Sequence, residues 1–187
     1  MQVLTLEAFA DTVIPGVKRH PEDVAIAGLD DSPGAVEAGA LEVLLDPATG
    51  LEDGVGEMAD LLNDHARLRV RDHDHDHDHD HAPVGAGGLP DFVALHHADR
   101  RALLAELTAH EHPQRELWFL MALFCYMAFD SAPHLDTATA VRDGHPGLVH
   151  LGFLQPDDDG LWRASAPSYG RPTARVRAGT DEFGNLS

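Results

Sequence analysis

Apolar residues recur every three or four positions through most of the first 154 residues, and the pattern breaks wherever proline and glycine cluster. The densest stretch is Leu117 to Phe129, LWFLMALFCYMAF, thirteen consecutive residues without a charge. It falls short of the roughly 20 residues that cross a bilayer, and Arg115, Glu116 and Asp130 bracket it. Apolar all round, it reads as a helix buried on most sides. Pro113 precedes it, and the rest of the chain is expected to pack around it.

Four further helices are predicted before it. In the first, Leu6, Phe9, Ala10, Val13 and Ile14 follow Thr5, a hydroxyl N-cap, and Pro15-Gly16 stops the run. Residues 16–31 have no sustained period and read as a loop. Ser32-Pro33 is expected to open the second helix, with proline at the first helical position. Val36, Ala40, Val43 and Leu44 form its inward face, and Asp46-Pro47 ends it. Ala35, Ala38, Gly39 and Ala40 are small enough to admit another backbone closely. The third helix, about 52–69, carries Val55, Met58, Leu61, Leu62 and Leu68; the fourth, about 97–110, carries Ala102, Leu103 and Leu107. Beyond the central stretch a short helix is expected from Asp136. His145 to Phe153, HPGLVHLGF, reads as an apolar turn, and it contains the one stretch that could pass for a strand.

The expected fold is therefore all-α: one domain of about five helices over residues 1–154. Within it, residues 70–90 form a disordered low-complexity loop. Residues 155–187 are rich in proline, glycine and charge and read as an extended C-terminal arm.

Composition narrows the partners. Thirteen Lys and Arg against 32 Asp and Glu give a net charge of −19 over 187 residues. Such a surface has no basic patch to displace counterions from nucleic acid, and it is repelled by an anionic membrane. It favours solubility or a partner with a basic face. The N-terminus, MQVLTLEAFADTVIPG, has no basic leader, signal core or twin arginine. The expectation is a cytoplasmic protein, or one exported as the passenger of a partner. Cys125 is the single cysteine; inside the apolar stretch it reads as a core residue.

Asp72 to His81 is a perfect Asp-His repeat. Its imidazoles, His73, His75, His77, His79 and His81, are candidate ligands for zinc, copper or nickel, with carboxylates as oxygen donors. In an extended chain all five lie on one side; in a helix His73 and His77 share a face. A functional site also needs held geometry, which the Pro and Gly flanks do not supply, so an idle repeat in a tolerant loop is the plainer reading. His96-His97 and His110-Glu111-His112 bracket the fourth helix without any metal spacing and read as surface or capping residues. No nucleophile elbow, P-loop or dinucleotide fingerprint occurs. No carboxylate stands in a setting apolar enough to raise its pKa into general-acid range; Asp130, after the apolar stretch, reads as a helix end in water. No catalytic residue and no cofactor site in this chain are predicted.

Three segments, AFADTVIPG (Ala8–Gly16), SPGAVEAGALEVL (Ser32–Leu44) and HPGLVHLGF (His145–Phe153), follow one another in order. Together they resemble the gluconate 2-dehydrogenase subunit 3 family, and still more its small acidic actinobacterial relatives, which share the overall length and the Tyr169-Gly170-Arg171-Pro172 tail. The resemblance implies a helical, non-catalytic small subunit without a redox cofactor of its own. It would accompany a large flavoprotein of the glucose-methanol-choline oxidoreductase type, with FAD in that partner, and help it mature, stay soluble or be exported. The missing twin-arginine signal leaves the stabilising, chaperone-like role. The Asp-His repeat lies outside the family pattern. Phe153, Trp162 and Tyr169 are the candidate anchors for such a partner; equally, the tail could dock them on its own core. A metal-handling protein built on the repeat, and a small-molecule enzyme with a helical pocket, are the alternatives.

Overall fold

Helix follows helix through residues 1–51, 54–74 and 88–153, the residues that the computed structural model describes, and no strand occurs among them. Eight α-helices are found there: α1 (Gln2–Val13), α2 (Ala40–Leu44), α3 (Val55–Asp74), α4 (Asp91–Ala94), α5 (His97–Leu107), α6 (Arg115–Ser131), α7 (Thr137–Arg142) and α8 (Pro146–His150). A 3-10 turn, Pro47–Thr49, links α2 to α3. All of them belong to one compact unit, Met1–Phe153. The all-α expectation is met, and the additional elements are short helices of four to six residues.

The centre of the unit is α1. It packs against α2, α3, α4, α5 and α6, and Thr5 through Thr12 are buried without interruption. Four of those eight residues are polar, and each has a partner. Asn63 of α3 donates from Nδ2 to Thr5 Oγ1 at 3.0 Å, and Thr12 Oγ1 donates to the Ala8 carbonyl at 2.6 Å. Arg19 reaches Glu7 at 2.6 Å. Asp11 accepts from the backbone N–H groups of Ala27 and Gly16. A satisfied polar group is tolerated in a core where an orphaned one is not. Thr5 is thus no N-cap: the helix begins at Gln2, and Met1 occupies the cap position.

Helix α6, the expected buried centre, is sealed on one side only. Trp118, Met121, Cys125, Ala128 and Phe129 are buried, at the three- and four-residue spacing of one helix face. Phe119, Leu123 and Tyr126 on another face are exposed.

The second predicted helix starts late. Its proline-glycine step, Pro33-Gly34, is held back to back against Pro15-Gly16. The Val17 N–H donates to the Ser32 carbonyl at 3.2 Å and the Ala35 N–H to the Ile14 carbonyl at 3.0 Å. A Cβ on Gly16 would stand 2.5 Å from Gly34 N, so only glycine permits the approach. With these backbone groups committed across the contact, residues 35–39 form turns. Gly39 takes φ +86°, and regular helix begins at Ala40. The small residues do admit a close neighbour, but it is the ring of His134, which lies where a Gly39 side chain would be.

Toward the C-terminal end, Asp136 caps α7 through the Thr139 N–H, and His145 caps α8 through the Leu148 N–H. His145 Nδ1 accepts that bond, so Nε2 carries the proton and donates to the Ala38 carbonyl at 2.9 Å. The segment with the marks of an apolar turn or strand is thus helix α8 followed by a turn. Helix α3 runs five residues past the predicted boundary at 69, through Asp74, and takes in the first residues of the Asp-His repeat.

Candidate functional site

The outer face of α6 departs from a sealed core. Phe119, Leu123 and Tyr126 follow at i, i+4 and i+7 and are 54%, 41% and 51% exposed. Seven residues of helix make this stripe about 10 Å long. The Arg115 guanidinium lies over the Phe119 ring, 5.8 Å from its centroid, at one end; Asp130 is exposed at the other. Inward-facing Trp118, Met121 and Cys125 anchor the same helix, so the stripe is presented on a rigid element. Burial pushes the Cys125 thiol up to about 12, which makes it an inert core residue.

At the α8 end Val149, Leu151 and Phe153 are also exposed. Of the three anchors suggested by the sequence, Phe153 stands there at 44% exposure, its N–H donating to the Leu148 carbonyl. Trp162 and Tyr169 lie outside the described residues, as do His75, His77, His79 and His81. His73 falls in the last turn of α3. Among the described residues no group of three or more His, Cys, Asp or Glu is placed to hold a metal.

Below the surface lies a polar cluster. Asp11 is 1% exposed, and burial pushes its carboxyl pKa up from its ordinary value, against the pull of the Ala27 and Gly16 N–H groups and the charges of His97 and Arg100. Asp11 interrupts the apolar sequence between Ala10 and Val13, and that interruption was the available signal. Arg100, also buried, donates to four backbone carbonyls, those of Val24, Ala25, Val93 and Leu95. It staples the loop after α1 to the α4–α5 corner. The cavity beside Asp11 and Gly16 is about 10 Å³, room for a water-sized group at most.

A roomier cleft, about 400 Å³, opens between α3, α5 and the turn before α6. His65, Leu68 and Arg69 line one wall; Leu103, Glu106, Leu107 and His112 line the other. The His65 and His112 rings meet edge to face at 5.6 Å, and His65 meets Trp118 in the same way at 6.1 Å. Burial lowers the His65 pKa, and the nearby His112 adds to the effect. The expectation of a surface or capping role for His112 holds in part: its Nδ1 caps a turn, accepting the Gln114 N–H at 3.2 Å. His65 and Arg69 gave no signal in the sequence, because the residues facing them are some 40 positions away along the chain.

This all-α chain belongs to the family of unknown function DUF5987, whose model matches residues 1–187. No curated protein and no solved structure matches it. No described helix is long and apolar enough to cross a membrane.

Proposed function

We propose that the chain is a non-catalytic accessory subunit that binds a larger protein through α6 and stabilises it. The observation that carries this reading is the Phe119–Leu123–Tyr126 stripe. A helix with a packed inner face presents two aromatic rings and a leucine to solvent, and none of the described residues covers them. Aromatic side chains on a rigid element are the anchors that dominate protein interfaces, and a contiguous exposed apolar patch marks such sites. The net charge of −19 keeps a free subunit soluble and favours a partner whose groove has a basic rim. The sequence resemblance to the gluconate 2-dehydrogenase subunit 3 family supplies the partner class: a large FAD-containing oxidoreductase of the glucose-methanol-choline type.

The test is affinity purification of the tagged chain from its native host, with an absorbance scan of what co-elutes. A yellow, near-stoichiometric large subunit is expected, and Leu123→Glu should lose it while keeping the native circular dichroism spectrum. A lone colourless chain, from extract in which such a flavoprotein is demonstrably expressed, would sink the proposal. Metal analysis of the same sample tests the second use of the chain suggested by its sequence, transition-metal binding by the Asp-His repeat.

A further inference from the structure

Residues 133–153, which carry α7 and α8, pack around a small core separate from the main one: Ala132, Ala140 and Leu148, with Val141 against them. Helix α7 packs on α8, and α8 seats on α6 by close backbone approach, for a Cβ on Gly147 would stand 2.0 Å from the Phe129 carbonyl oxygen. Among the described residues, one hydrogen bond ties this segment to residues 1–131. It runs from His145 Nε2 to the Ala38 carbonyl at 2.9 Å. The segment's ion pair, Arg142–Asp143, is internal to it. A second imidazole touches the next residue along: the His134 ring lies against Gly39. The two rings meet edge to face with centroids 5.9 Å apart. Attachment at the entry to α2 therefore runs through a pair of histidines.

The surroundings of both rings suit the neutral form. His145 uses both nitrogens, since Nε2 donates to Ala38 and Nδ1 accepts the Leu148 N–H that caps α8. A proton added to that Nδ1 would face another donor, and the cap would be lost. His134 Nδ1 is buried with no hydrogen-bond partner among the described residues. Charging this ring in place would leave an N–H without an acceptor. Burial lowers the His134 pKa, the neighbouring His145 adds to the effect, and Glu42 of α2 and Asp46 after it pull the other way. On the other elements around the pair, Glu37, Asp130, Asp143 and His150 are solvent-exposed.

We propose that His134 and His145 form a proton-operated clasp, which holds residues 133–153 against Ala38 and Gly39 while both rings are neutral and releases the segment as they charge. The main core lies outside the segment, so the opening is sub-global. Release uncovers Phe129, which is buried beneath Gly147 and the His150 ring, one turn along α6 from the exposed Tyr126.

The experiment is hydrogen–deuterium exchange of the full chain, read by mass spectrometry at about pH 7.5 and about pH 5.5 and corrected for the intrinsic rate at each. Protection of residues 133–153 should fall by roughly tenfold or more beyond any change in α1 and α3, because a ring that charges only on opening contributes about tenfold per pH unit below its unfolded pKa. His134→Gln removes one titrating ring and should shrink that drop. His150→Gln, at an exposed ring of the same segment, should leave the drop intact. A parallel fall across α1, α3 and the segment would show the whole domain weakening together and overturn the proposal. So would protection that does not change with pH, an unchanged drop in His134→Gln, or a drop abolished by His150→Gln.

Discussion

Replacing Arg100 with methionine removes a buried guanidinium that is 4% exposed and donates to four carbonyls: Leu95 at 3.1 Å, Ala25 at 2.7 Å, Val24 at 3.2 Å and Val93 at 2.6 Å. Methionine refills much of the aliphatic volume, so the loss is mainly of hydrogen bonds. Each bond to a charged donor is worth about 1.5–3 kcal/mol before the removed desolvation cost of the guanidinium is credited back. That credit is several kcal/mol for a buried ion. The carbonyls left behind lose their donor, and Asp11 loses a nearby positive charge. The net expectation is a loss of about 3–5 kcal/mol, a large share of the roughly 5–15 kcal/mol that holds a domain together. Urea unfolding followed by circular dichroism should show the midpoint falling by about 2 M, with the slope unchanged. Arg100→Lys should recover less than half, because one ammonium with three donors cannot span four carbonyls. A midpoint shift for Arg100→Met below about 0.5 M would show that the staple is redundant and refute the reasoning.

Neighbouring residues on α6 should respond in opposite ways. Trp118→Ala is expected to cost about 3–5 kcal/mol, and Phe119→Ala less than about 1 kcal/mol, both read from urea midpoints; equal costs would contradict the exposed stripe. Burial lowers the pKa of His65, His97 and His134 below the usual 6.5. The folded state therefore binds fewer protons than the unfolded chain just below pH 6.5. Stability is full above that pH and falls as these three rings are forced to charge. Urea midpoints at about pH 8 and about pH 5.5 should differ accordingly, and a flat profile would contradict the burial of the rings. Cys125 should resist thiol reagents in native buffer and react only at the rate of opening, because burial holds its thiol at about 12; prompt labelling of the native chain would refute its place in the core.

Local chemistry along the chain set the helical class and several of the places where helices start and stop. Asp136 caps α7 as its position suggested, α5 begins at His97, and the residues after Pro15-Gly16 form a loop. These features depend on groups a few residues apart, so a linear reading reaches them. Which helix lies at the centre depended on the assembled fold. By apolar content alone α6 should have been sealed and α1, with Thr5, Glu7, Asp11 and Thr12, half in water. The fold reverses this. Asn63, Arg19 and the Gly16 and Ala27 N–H groups satisfy most of the polar atoms of α1, and Thr12 bonds within its own helix. Helix α1 can therefore be surrounded, while α6 has more apolar surface than its described neighbours cover. The late start of α2 has the same origin: Pro33-Gly34 had the local marks of a helix start, but its neighbours' backbone groups are taken by Ile14 and Val17. The cleft of His65, Arg69, Glu106 and His112 likewise exists only once α3, α5 and the turn before α6 meet. Burial of a polar residue depends on whether a partner reaches it, and only the folded chain brings such distant partners together.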